Sequence, residues 1–191
     1  MGHQMSPLKK VLLAAISLLL GAGGVFYYLK SRDRYDPSKY TATITPALEQ
    51  GEAKARGLRK GTRVELTLPD QFDTPKTIGP EVETLILAFS KGSGSVVRGY
   101  LDKQEPGYLT SHNAVFVADV SPFPVVLRNT IALPKLRKSS YSTLLLYEKE
   151  MSTALKKKEQ GEQITIAKLT NNVVQRVMYI KSEAELESTF Q

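Results

Sequence analysis

The sequence predicts one α/β domain, a sheet with helices on both faces, preceded by one N-terminal transmembrane helix. Three observations predict it. Residues 11–29 (VLLAAISLLLGAGGVFYYL) carry no charge. Residues 83–90 (ETLILAFS), 114–120 (AVFVADV) and 142–147 (STLLLY) are short and nearly all apolar, the form of strands buried on both faces. The stretches between them read as helices, and strands alternating with helices build a sheet through right-handed crossovers.

The uncharged run comes first. Nineteen residues of helix reach roughly 28 Å, close to the hydrocarbon thickness of a bilayer. Lys9 and Lys10 precede Val11; Lys30, Arg32 and Arg34 follow Leu29, and Phe26, Tyr27 and Tyr28 fall at the headgroup level. No polar stripe marks it as a core helix. A cleaved signal peptide would share the basic start and the small residues at Gly21 to Gly24, but the apolar run continues through VFYYL and lacks an A-x-A site. The expectation is an uncleaved anchor that contacts the lipid bilayer through Val11 to Leu29. The flanking charges nearly balance, and the short N-terminal tail favours an N-terminus inside. The chain is then a single-pass protein of a bacterial inner membrane with its domain on the periplasmic side.

The expected organisation is a tail over residues 1–10, the transmembrane helix over 11–29, a juxtamembrane connector over 30–62 and the domain over 63–191. The 157 residues after Arg34 suffice for one core. The chain carries +7, of which residues 1–34 hold +4, leaving an ordinary surface with no mandate for nucleic acid. With no cysteine and two histidines, thiolate chemistry, disulfides and Cys- or His-rich metal sites are excluded, and no cofactor or metal is expected.

Along the connector, SRDRYDPSKY is polar and is expected not to pack. TATIT alternates as a short edge strand. Lys54, Arg56, Arg59, Lys60 and Arg63 form a basic cluster: a solvated face, or a surface for anionic headgroups at roughly 1 kcal/mol per residue. In the domain, VELTL opens a strand, PDQFDTP a turn, and KGSGS a loop before a helix over residues 96–104. Ser121-Pro122 starts a helix over 123–130; residues 148–163 form a charged surface excursion. Thr170-Asn171-Asn172 turns a hairpin, and Ser182 with Glu185 makes a capping box for the last helix.

VELTLPDQFDTPKTI, ETLILAFS and LRKSSYSTLLLY, in this order, resemble the thioredoxin-like superfamily, in its peroxiredoxin-like and membrane-tethered branches. The resemblance spans residues 63–191. It implies a thioredoxin-like sheet, with reactive cysteines after ETLILAFS and a cis-proline before the strand of STLLLY. Here Ser93 and Val96 stand at the cysteine positions and Ser142 at the proline position. A serine hydroxyl does not replace a thiolate at neutral pH, so the expected domain is redox-inactive.

Other chemistry has thin support. Lys91, Gly92, Ser93, Gly94 and Ser95 could cradle an anion or small ligand at a helix N-terminus, with Asp119 and Ser142 nearby, although the P-loop spacing is absent. Ser93, His112 and Asp119 contain the types of a hydrolase triad but no G-x-S-x-G. Asp70, Asp73 and Glu81 lack calcium-loop spacing. Asp119 reads more simply as a cap before Ser121-Pro122. The expected role is a protein-interaction or structural module with a protein partner; the alternative is a ligand-binding protein or a non-thiol enzyme.

Overall fold

The computed structural model describes residues 7–33, 35–45 and 57–191, with side chains from Ser17 onward. Helix α1 (Pro7–Ser31) contains the uncharged run. Its described part, residues 17–29, is solvent-exposed on every face. Among the described residues, no helix is long and apolar enough to cross a membrane; the side chains of residues 11–16, part of the expected anchor, lie outside them.

An eight-stranded mixed sheet forms the centre. Its strands are β1 (Thr41–Thr45), β2 (Arg63–Pro69), β3 (Pro75–Thr77), β4 (Thr84–Ala88), β5 (Ala114–Asp119), β6 (Thr143–Leu146), β7 (Ile164–Thr170) and β8 (Val173–Ile180). The order is β1-β2-β8-β7-β4-β5-β6, with β3 paired to β2. β4, β5 and β6 are parallel; β7 and β8 run antiparallel beside β4. Burial explains the apolar runs: every residue of β4 and β6 is buried.

Alternation assigns the two faces. Ile86, Ala88 and Phe116 face α2 (Lys91–Leu101), α3 (Tyr108–Ser111) and α7 (Glu183–Glu187), packing on Val97, Tyr100, Leu101, Leu109 and Leu186. Leu85, Leu87, Val117, Leu144 and Leu146 face the other way, onto Met151 and Leu155 of α6 (Lys149–Leu155) and onto Val64, Leu66 and Leu68 of β2, which curls over that face. A helical run over residues 125–136 covers the outer part of the first face through Leu133 and Leu136 on Leu145. It comprises α4 (Val125–Leu127), a π turn (Arg128–Ala132) and α5 (Leu133–Leu136).

Several expectations need correction. KGSGS is not a loop: α2 starts at Lys91, because Ser90 at the end of the apolar strand caps it. The helix expected over 123–130 runs on to Leu136 through the π turn. The expected surface excursion is anchored in the core, with Leu155 fully buried. The connector packs as well. Tyr35 stacks between Tyr40 and Tyr147 at 5.4 and 4.5 Å, Tyr40 is buried, and β1 pairs with β2 along its whole length.

Candidate functional site

The carboxyl edge of β4 and β5 opens into a cleft of about 270 Å³ between α2 and the 125–136 run. Its floor is apolar, formed by Ala88, Phe116, Ala118 and Leu136, and Lys91, Arg98 and Lys135 stand around it. The cleft exists because small side chains, Ala88, Gly94 and Ala118, occur where the two helical layers part.

The residues expected at this edge divide. Lys91, Gly94, Ser95 and Asp119 line the cleft, whereas Ser142 does not. Ser93 is 3% exposed and spent on capping. Its N–H donates to Ser90 Oγ at 3.2 Å, the Ser90 N–H donates to Ser93 Oγ at 3.2 Å, and the Ser93 hydroxyl donates to the Ser90 carbonyl at 3.2 Å. This reciprocal box leaves neither serine free to act as a nucleophile. Gly92 and Gly94 lie in the first helical turn, so they do not form an anion-binding loop.

Asp119 follows Ala118, and strand alternation sends its side chain to the α6 face. There its carboxylate accepts from the Ser121 N–H at 2.9 Å and from the Ser152 hydroxyl. It fastens the turn after β5 to α6. The hydrolase trio is dispersed: Ser93 follows the carboxyl end of β4, while His112 precedes the amino end of the parallel, in-register β5. A strand's length, roughly 15–20 Å, separates them. His112 instead donates from Nδ1 to the Tyr108 carbonyl at 2.8 Å. Asp70 accepts the Phe72 and Thr74 N–H groups, and Asp73 accepts the Tyr40 hydroxyl at 2.5 Å.

Ser142 is exposed at the start of β6, and β6 is a parallel edge strand beside β5. The antiparallel neighbour of β4 is β7, with Ala88 opposite Ile164. The residue that enters this strand beside the first turn of α2 is therefore Gln163, and Glu162 lines the adjoining hollow with Ser90 and Lys91. Ser142, expected before an antiparallel strand, instead precedes a strand parallel to β5. Among the described residues, no peptide bond is cis.

Lys54 and Arg56 of the basic cluster lie outside the described residues. Arg63 pairs with Glu65 at 3.4 Å on an exposed surface, and the Arg59 N–H donates to Thr62 Oγ1 at 3.3 Å. Arg63 starts β2, four residues from Thr67 opposite Thr41, so the described cluster is roughly 14 Å along the strand from the tyrosine stack.

Sequence reasoning missed the junction between α1 and the domain. Asn129 Nδ2 donates to the Lys30 and Arg32 carbonyls at 2.8 and 2.9 Å, satisfying acceptors that a helix end leaves open. Arg128, 4% exposed, meets Asp33 at 2.6 Å and lies 4.7 Å from the centre of the Tyr147 ring. The Tyr35 hydroxyl donates to Glu148 at 2.8 Å. Burial, then the Glu148 hydrogen bond, push the Tyr35 phenol far above its ordinary value; burial also pushes Tyr147 up to about 12, against the opposing pull of Arg128. No local signal in the sequence marks Asn129, because its partners are nearly a hundred residues away.

No protein-family model matches the chain, and no curated protein matches it. Solved structures similar to it include a peroxiredoxin-like protein from Aquifex aeolicus, at 11% identity and a TM-score of 0.44, over 72% of this chain and 88% of that one. A candidate protein disulfide isomerase from Bacteroides thetaiotaomicron is 12% identical over 73% of this chain and 86% of its own, with a TM-score of 0.45. A hypothetical protein from Sinorhizobium meliloti is 16% identical over 71% and 84%, with a TM-score of 0.44.

Proposed function

We propose that the chain is a membrane-tethered, redox-inactive domain of thioredoxin-like type that works by binding a protein partner at the cleft between α2 and residues 125–136. One observation carries this reading: the hydroxyls at the position where a thiol would act are consumed in capping α2, while the cleft beside them is open, apolar and rimmed by basic groups. That surface suits a partner segment combining apolar side chains with acidic ones. The tether rests on the uncharged run of residues 11–29, and on the exposure of residues 17–29 on every face, since apolar side chains left uncovered along a helix fit lipid.

Photo-crosslinking in native membranes tests it. A crosslinker at Ser95 or Lys135 is expected to give a discrete protein adduct, and one at Thr110, beyond the far end of β5, is expected to give none. Equal labelling from all three positions, or none from the cleft, overturns the reading. Carbonate extraction of the intact chain and protease access to the domain in spheroplasts test the tether and its side.

A second reading has one observation of its own. Arg98 lies beside the cleft with a buried Nε that lacks a hydrogen-bond partner, and its guanidinium is 3.9 Å from Asp102. An anionic amphiphile could place its head there and its tail on the cleft floor. Displaceable binding of a fluorescent fatty acid that disappears in Arg98→Met supports this reading; binding unaffected by the substitution removes it.

A further inference from the structure

The cleft wall made by residues 125–136 is held to the sheet mainly at its ends. Phe123, before it, packs on the cluster of Val120, Leu133, Leu136 and Leu145, and Arg137, after it, donates from Nε to the Gln71 carbonyl at 2.9 Å. Between Val125 and Ala132, in α4 and the π turn, the one buried residue is Arg128. This stretch thus puts no apolar side chain into the core, and packing of that kind is what ordinarily stabilises a helix in a folded chain. Its hold comes from α1 instead, which packs against both α4 and the π turn. Arg128 meets Asp33 at 2.6 Å, the one carboxylate it pairs with among the described residues, and Asn129 donates to the Lys30 and Arg32 carbonyls. Ile131 and Ala132 of the same π turn line the cleft, and Lys135 and Leu136 of α5 line it further on. One five-residue turn therefore meets both the end of α1 and the cleft.

We propose that the seated end of α1 fixes the cleft wall, so that the cleft binds its partner tightly while Arg128 and Asn129 hold α1 and loosely once they let go. The proposal rests on the partner site put forward above and adds its regulation. The chemistry of Arg128 gives the π turn two arrangements. With Asp33 beside it, the guanidinium stays inside, although its buried Nε lacks a hydrogen-bond partner. Without Asp33 the buried charge stands uncompensated, and a long side chain relieves that by moving out to water. The turn then loses its one buried residue. A π turn is a rare form of helix, found frequently at functional sites. A wall already in place binds without being ordered first. A loose one must be immobilised by the partner, and the lost freedom lowers affinity. Linkage makes the effect reciprocal: a partner seated in the cleft tightens the grip on α1 by the same factor.

The chain has no cysteine, so Ser95→Cys with Lys135→Cys places a unique pair of spin labels across the cleft of the full-length protein. The distance between them, read by pulsed electron paramagnetic resonance in detergent, is expected to be narrowly distributed in this labelled parent. It is expected to be broad when Asp33→Asn or Asn129→Ala is added, since each breaks the grip at different atoms. Melting curves confirm that both variants fold. Glu65→Gln, which breaks an exposed pair outside both the cleft and the junction, is expected to leave the distribution narrow. In native membranes, a photo-crosslinker at Ser95 is expected to give at least roughly five-fold less adduct in Asp33→Asn and in Asn129→Ala than in the otherwise unaltered chain. Distances unchanged in both variants overturn the proposal, and leave the partner site standing if the unaltered chain still forms its adduct. A broadened distance with undiminished adduct overturns it as well, as does equal broadening in Glu65→Gln. No adduct from the unaltered chain removes the partner site, and the regulation with it.

Discussion

At the scale of single residues, the sheet margin at β6 rests on Gln71. Its side chain, 2% exposed, donates to the Tyr141 carbonyl and accepts the Thr143 N–H, both at 2.8 Å, serving as a one-residue partner for the edge strand. Gln71→Ala strands both groups in the interior and is expected to cost about 1–3 kcal/mol in denaturant unfolding. Thr143 is the converse case. Its hydroxyl is buried with no hydrogen-bond partner. Thr143→Val removes that unpaired group at nearly constant volume and is expected to be neutral or stabilising by up to about 1 kcal/mol; a loss beyond that range would show that the hydroxyl does have a partner. Neither residue was legible in the sequence. Gln71 sits in a run, PDQFDTP, that signals only a turn, and its partners lie some seventy positions away.

At the scale of elements, α2 shows how a correct cue can mislead. Two glycines in KGSGS signal a loop, yet Ser90, the last residue of an apolar run, caps the helix one residue before Lys91. Neither glycine needs its freedom: a methyl at Gly92 would come within 3.7 Å of Ser90 Oγ, and one at Gly94 within 3.9 Å of the Ala88 methyl, both ordinary contacts. Gly92→Ala is therefore expected to stabilise the domain by about 0.5–1 kcal/mol, read as a higher denaturation midpoint at unchanged slope. Ser90→Ala is expected to cost about 1 kcal/mol. The junction at the end of α1 makes a separate prediction. Asn129→Ala removes two hydrogen bonds, each worth about 0.5–1 kcal/mol, and is expected to speed tryptic cutting after Lys30 and Arg32 by roughly five- to tenfold while the core melts unchanged.

At the scale of the molecule, the tyrosines determine the alkaline limit. Burial, followed by hydrogen bonds to Glu148, Asp73 and Tyr108 respectively, pushes Tyr35, Tyr40 and Tyr100 far above the ordinary phenol value; burial raises Tyr141 and Tyr179 and takes Tyr147 to about 12. The folded chain thus keeps protons that the unfolded chain releases near pH 10, so stability is full below about pH 10 and falls as pH rises above it. Lys168, lowered by burial, acts in the opposite sense but alone. The melting temperature is expected to drop steadily between about pH 9.5 and 11.5; a flat profile would contradict the buried stack. Much of the architecture was legible. The β4, β5 and β6 runs are apolar because they are buried, Asn171 and Asn172 take the left-handed conformation that a tight hairpin needs, and Ser182 with Glu185 caps α7 as their spacing implies. The parallel placement of β6, the π turn and the packing of Tyr35 on Tyr147 were not legible, because each depends on contacts distant in sequence.

The amide of Gln71 also has a consequence for assembly. It already occupies a backbone donor and a backbone acceptor at the start of the β6 border, where an incoming chain would otherwise zip on. Recruitment through an added strand is thereby turned away from the start of that rim.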